Sequence, residues 1–196
     1  MSVASLSPSC STPSLRNDLS PRLCDPGCSL HCYHSSQRSR SEAWLYYTHH
    51  GAGKGRQPEK TITFEGITGK NIFVGVPGAF TGTCSAQVPG FIKAYEKFKE
   101  KGVNNIYVVG VNDVFVMKAW KEQLASAGTP VHFIADDKGA FIGAMGLLFD
   151  ASPLLGAPRS KRFVVITEGP TVKHVVVEPN PGELTICAAD KVLPLL

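Results

Sequence analysis

The chain has 196 residues, 43% of them hydrophobic and 18% charged, which is the composition of a globular protein with room for one sizeable domain. No apolar run approaches the length of a membrane span. The net charge of +4 is unevenly placed: residues 1–60 carry seven Lys/Arg against four Asp/Glu and residues 61–196 thirteen against twelve, so the folded part is near neutral and offers no basic surface for nucleic acid.

Residues 1–60 are rich in Ser, Pro, Arg, Gly and Cys and lack sustained apolar periodicity, as in MSVASLSPSCSTPSLRNDLSPRLC. Such a segment buries too little apolar surface to offset its ordering entropy and is expected to be a mostly disordered extension. Its Ser/Arg-rich start faintly resembles an organelle transit peptide, against which stand Asp18, Asp25 and the many prolines. Cys24, Cys28 and Cys32, with His31 and His34, carry the atoms zinc prefers. Their spacing lacks paired CxxC knuckles, so free thiols are the expected reading.

From residue 61 the pattern becomes an alternation of strands and helices. Thr61–Phe64 reads as a short strand and 71–76, Asn-Ile-Phe-Val-Gly-Val, as a buried one. A helix is expected to start just after Cys84, and Phe91, Ile92, Tyr95 and Phe98 share a helical face that ends at a Gly102 cap. Residues 105–111 make a second buried strand. Asp113 caps a helix running through Val116, Trp120 and Leu124 toward Gly128, and 131–135 is a third strand. A short helix near 139–145 precedes a hairpin of 162–167 and 172–177 turned at Glu168-Gly169-Pro170-Thr171, and 188–196 forms a last helix interrupted by Pro194. This order predicts an α/β protein of thioredoxin-like fold, a mixed central sheet with helices on both faces.

In such sheets chemistry belongs at the carboxyl end of a central strand, where Cys84 falls. A thiol becomes a strong nucleophile when ionised, and a helix N-terminus, a nearby cation and hydrogen bonds to sulfur all favour the thiolate. Cys84 has the first of these by position. Thr81 offers a hydroxyl that a turn at Pro77-Gly78 could aim at the sulfur, Pro77 would shield one side, and Arg162 is the best placed cation. No second cysteine lies at CxxC spacing, which disfavours a dithiol oxidoreductase. His132 and His174 lie in apolar strands and are expected to be structural.

These residues also carry a resemblance. Pro77-Gly78-Ala79-Phe80-Thr81-Gly82-Thr83-Cys84 fits the peroxiredoxin signature PxxxTxxC, and VPGAFT with a following PGF is similar to the peroxiredoxin-5 type, including its plant type II and fungal membrane-associated relatives. Residues 111–117 with Ala119-Trp120, Ala135-Asp136 with Gly139 and Phe141, and Lys161-Arg162-Phe163 resemble the same family in the same order over about residues 61–196. The resemblance implies a thiol peroxidase in which the Cys84 thiolate cleaves the O–O bond of hydrogen peroxide or an alkyl hydroperoxide and becomes a sulfenic acid. It implies that Thr81 and Arg162 hold the thiolate and the peroxide, that Pro77 shapes the pocket, and that the N–H groups of Thr83 and Cys84 receive developing charge. No metal, flavin or haem cofactor is called for. Thioredoxin, glutaredoxin or another thiol would serve as reductant, and a homodimer is one expected assembly.

The sequence departs from the family in four places. Gly82 stands where relatives often carry Pro, and Ser85-Ala86-Gln87-Val88 is one residue short and lacks a His. Cys187 lies one residue from the C-terminal resolving position of one branch, with an ordinary buried thiol as the alternative, while the plant-type resolving position aligns with Val108. The strand pair that usually precedes the domain has no evident counterpart in residues 1–60. Catalytic cysteine usage favours a reducing compartment, the cytoplasm first, with mitochondrion and peroxisome as alternatives. The tail Leu193-Pro194-Leu195-Leu196 is not a peroxisomal SKL-type address.

Overall fold

The computed structural model describes residues 67–196, together with the backbone of two short strands, β1 (Leu45–Tyr47) and β2 (Lys60–Ile62). The cluster of Cys24, Cys28, Cys32, His31 and His34 lies outside the described residues.

The three buried apolar runs become the middle of the sheet. β3 (Lys70–Val76) pairs in parallel with β4 (Val103–Gly110), which pairs in parallel with β5 (His132–Ala135). The C-terminal hairpin of β8 (Phe163–Glu168) and β9 (Thr171–Val177) adds antiparallel to the other side of β3. Gly169, at φ 55, lets a two-residue turn reverse the chain between them. The complete order is β2-β1-β5-β4-β3-β8-β9. β1 is antiparallel to both β2 and β5, so an upstream strand pair extends the sheet past β5. Leu45-Tyr46-Tyr47 is too short a run to show a period in the sequence.

Alternation along each strand splits the core in two, as a sheet covered on both faces requires. Ile72, Val74 and Val76, with Ile106, Val108, Phe133, Val164 and Ile166, face one cluster. Phe73, Tyr107, Val109, Ile134, Phe163 and Val165 face the other. The first cluster is covered by α1 (Gly82–Lys93), α2 (Tyr95–Glu100), α3 (Val114–Leu124) and α6 (Ala189–Val192), whose Val88, Phe91, Phe98, Met117, Trp120 and Val192 are fully buried. Ile142 of α4 (Ala140–Ala144) is buried in the second. The thioredoxin-like arrangement is therefore present, with helices on both faces.

Local chemistry explains most of the boundaries. The Asp113 carboxylate accepts from the N–H groups of Phe115 and Val116 and starts α3. Asp136 is buried and accepts from Phe141 N and Ile142 N, which fixes α4 against the end of β5. The amphipathic run expected over 90–101 is two helices, because Ala94 at φ −88 and ψ 5 leaves the helical region. Gly102, at φ 82, follows α2 as the expected terminator.

The sequence reading missed a second hairpin, β6 (Leu148–Phe149) with β7 (Arg159–Ser160), and the single turn α5 (Ser152–Leu155) between them. It also misplaced His174: β9 is an edge strand and His174 is exposed, whereas His132 is half-buried, stacked on Tyr107 and bonded to Asn105.

Candidate active site

β3 ends at Val76, and the loop that follows carries the chain from the sheet into α1. Within it Thr81 is extended, at φ −71 and ψ 150, and helix begins at Gly82, so Cys84 sits inside the first turn rather than ahead of it. The first bond closing the helix runs from Ser85 N to Thr81 O. The N–H groups of Thr83 and Cys84 precede that bond and have no intrahelical acceptor. Phe80 reaches this turn through a left-handed backbone, φ 64, and is half exposed. Ala79 N donates to Asn112 Oδ1, pinning the loop to the β4–α3 connection. An added Cβ at Gly82 would meet nothing within 4 Å, so Gly82 is not required by a close neighbour.

Cys84 is fully buried, and Arg162 is 1% exposed. Arg162 leads into β8, beside β3, and its Nη1 and Nη2 each lie 3.6 Å from Cys84 Sγ. The remaining donors have fixed acceptors: Nη1 donates to Gln87 Oε1 at 2.6 Å, while Nε and Nη2 donate to Pro181 O at 3.2 and 2.8 Å. Among the described residues no carboxylate forms an ion pair with this guanidinium, so the sulfur is the anion nearest to hand when ionised.

Thr81 donates its hydroxyl hydrogen to Gly78 O at 2.9 Å, which differs from a hydroxyl aimed at the sulfur as a donor. Its oxygen is then an acceptor toward anything entering the loop. Pro77, Thr81 and Arg162 line one cavity of about 420 Å³. The rest of its wall is mostly apolar, with Phe149, Ala151, Pro153, Leu154, Leu155 and Pro181. The missed hairpin and α5 thus form one side of the site.

Cys187 is equally buried but differently surrounded. Its thiol points at Val176 O and Arg162 O, 3.6 and 3.8 Å away. Burial, followed by the nearby Glu178 charge, pushes this thiol up to about 11. Its carbonyl oxygen accepts from Gln87 Nε2 at 3.0 Å. Gln87 was not singled out in the sequence, although it lies one helical turn beyond Cys84 and so on the same side of α1. It occupies the shortened stretch that lacks a His.

Comparison with known proteins agrees with this geometry. The family model for Redoxin matches residues 52–193. A Schizosaccharomyces pombe protein named Peroxisomal membrane associated protein 20 is 48% identical over 71% of this chain and 90% of its own, and Peroxiredoxin-2C of rice is 43% identical over 65% of this chain and 78% of its own. The chain belongs to the peroxiredoxins of the redoxin family. Reduced Prx3 of Vibrio vulnificus, solved in complex with hydrogen peroxide, superposes on this peroxiredoxin with a TM-score of 0.67 and 33% identity, over 79% of this chain and 94% of that one. The peroxiredoxin is a thiol-dependent peroxidase, and no helix among its described residues is long and apolar enough to cross a membrane.

Proposed function

We propose that Cys84 is the peroxidatic nucleophile, buried behind a cavity that Thr81, Pro77 and Arg162 line and Cys84 itself does not. The observation that carries this is the buried Arg162 fork, with two nitrogens 3.6 Å from the Cys84 sulfur. The thiolate attacks the terminal oxygen of a hydroperoxide, an S–O bond forms as the O–O bond breaks, and the alkoxide or hydroxide leaves and takes a proton from water. Sulfur loses two electrons to the peroxide and is left as sulfenic acid. Arg162 is fitted to stabilise charge on both the sulfur and the peroxide oxygens, because its fork is already held by Gln87 and Pro181. The Thr81 oxygen would accept from the hydroperoxide O–H, and the N–H groups of Thr83 and Cys84 face developing negative charge.

The apolar wall of the cavity supports alkyl hydroperoxides as substrates alongside hydrogen peroxide. An external dithiol such as thioredoxin or glutaredoxin would reduce the sulfenic acid, forming a mixed disulfide with release of water and then an oxidised carrier. Of the two readings of Cys187, its burial, its carbonyl partners and its raised pKa support the buried thiol over the resolver. The chemistry is complete with thiols alone and uses no metal or organic cofactor.

A homodimer through the site's end of the sheet is supported by Phe80 in the loop after β3, Phe115 in the first turn of α3 and Leu154 in α5, which are large, apolar and exposed. We take residues 61–196 as the catalytic domain, with Leu45–Tyr47 lending it a strand. We place it in a reducing compartment, the cytoplasm first, with the peroxisome and the mitochondrion, which the names of a Schizosaccharomyces pombe and an Arabidopsis thaliana relative carry, as the alternatives. Hydroperoxide consumption with a thioredoxin or glutaredoxin reducing system tests the central assignment. Cys84→Ser is expected to abolish turnover, and wild type consuming peroxide no faster than that variant would refute it.

A further inference from the structure

The loop from Glu178 to Cys187 leaves β9 and returns to α6, and it touches the active site at three carbonyl oxygens. Pro181 O accepts twice from Arg162, Gly182 O accepts from Thr83 Oγ1 at 2.9 Å, and Cys187 O accepts from Gln87 Nε2 at 3.0 Å. Thr83 and Gln87 flank Cys84 on α1, so these carbonyls grip the nucleophile's helix and its cation together.

A single side chain closes that loop. Glu178 is 3% exposed, and its Oε1 accepts from Thr185 N at 2.6 Å, Ile186 N at 2.8 Å and Cys187 N at 2.9 Å, while Oε2 accepts from Thr185 Oγ1 at 2.7 Å. Its own N–H donates to Arg162 O at 2.9 Å. Burial raises the carboxyl, but the hydrogen bonds from Cys187, Thr185 and Ile186 outweigh it and hold it below the usual carboxylate range. The ionised carboxylate therefore ties the far end of the loop back to its start, and every carbonyl that grips the site lies between those ends or at one of them.

We propose that Glu178 is a positioning residue for the peroxidase reaction, acting through the 178–187 loop to fix the carbonyl oxygens that orient Arg162, Gln87 and Thr83 around Cys84. This rests on Cys84 and Arg162 being the reacting pair. A carboxylate that merely stabilised the loop would change melting temperature and leave the folded enzyme's chemistry intact. One that positions the guanidinium must also change the reactivity of the sulfur, since small displacements of a catalytic fork cost rate steeply.

The test compares full-length Glu178→Ala, Glu178→Gln and Glu183→Gln with wild type, reading the second-order rate with hydrogen peroxide and the pH profile of Cys84 alkylation by iodoacetamide. Glu178→Ala is expected to lose roughly tenfold or more in rate and to shift the alkylation profile to the alkaline side. Glu178→Gln, which keeps an acceptor oxygen, is expected to recover part of both, and Glu183→Gln, exposed in the same loop, to match wild type. If Glu178→Ala does not fold, Thr185→Val takes its place: it removes only the bond to Oε2 and should lose less than Glu178→Gln in both readouts. Folded Glu178 variants with wild-type rate and profile would overturn the proposal. A wild-type rate in Arg162→Ala would instead overturn the reading on which it rests.

Discussion

Replacing Arg162 with Ala removes the cation nearest Cys84 Sγ, and the geometry sets the size of the effect. Two unit charges about 4 Å apart at an effective dielectric of about 20 interact by about 4 kcal/mol, or about a thousandfold in an equilibrium constant. The separation of 3.6 Å to each of two nitrogens puts the pair in that range. Water entering the vacated volume offsets part of the loss, so Cys84 alkylation at neutral pH is expected to slow by roughly 10- to 1,000-fold. Peroxide reduction should fall at least as far, because in the proposed mechanism the guanidinium would act on the peroxide oxygens as well as the sulfur.

Arg162→Lys separates charge from shape. It restores a cation without the planar fork that satisfies sulfur, Gln87 Oε1 and Pro181 O together, so alkylation should recover more than peroxide reduction does. The assays are mass-spectrometric alkylation timed against pH and stopped-flow peroxide consumption, with circular dichroism confirming the fold. An Ala variant that alkylates and consumes peroxide at the wild-type rate would refute the reasoning, and some other group would have to activate Cys84.

Other consequences follow from single contacts. In Gly75→Ala the new Cβ would lie 2.1 Å from Phe163 Cε1 in the neighbouring strand, so thermal melts should show destabilisation of about 1–3 kcal/mol. Leu154→Asp places a charge on the apolar wall at a residue 86% exposed, and should raise KM for cumene hydroperoxide several-fold while leaving hydrogen peroxide reduction near wild type. Burial, with the Glu178 charge, pushes the folded Cys187 thiol up to about 11, so the unfolded chain ionises first as pH rises. The stability tied to it is complete below about pH 9 and falls by up to about 3 kcal/mol through the folded value. Urea unfolding of Cys187→Ala across that window should lack this component, and an unchanged alkaline loss would count against it.

Much of the fold was legible because buried parallel strands read as unbroken apolar runs: Ile72 to Val76, Ile106 to Val109 and Phe133 to Ala135 could hardly be anything else. Asp113 and Gly102 were legible for a different reason, since a side-chain cap and a positive φ are local requirements. The β6–β7 hairpin was not, because two residues per strand carry no period. Gln87 does not stand out when the helix start is expected only after Cys84. Moving it to Gly82 puts both residues on one side of one helix, where a buried glutamine beside a cysteine calls for a polar partner. Pairing Cys84 with Arg162, 78 positions away, came from chemistry and resemblance, because local pattern says nothing about which strands become neighbours.

The two described thiols show what burial alone leaves undecided. Cys84 and Cys187 are both fully enclosed and belong to the same apolar cluster, yet one faces guanidinium nitrogens at the start of a helix and the other faces two carbonyl oxygens with a carboxylate close by. The first surroundings stabilise a negative charge on sulfur, and the second repel one. Gln87 spans the two sites, accepting from Arg162 through its oxygen and donating to Cys187 O through its nitrogen. On the proposed assignment of Cys84 as nucleophile, a Cys187 that attacked it would have to give up the Gln87 bond to its carbonyl and the Glu178 bond to its N–H, which favours an external thiol as the reductant.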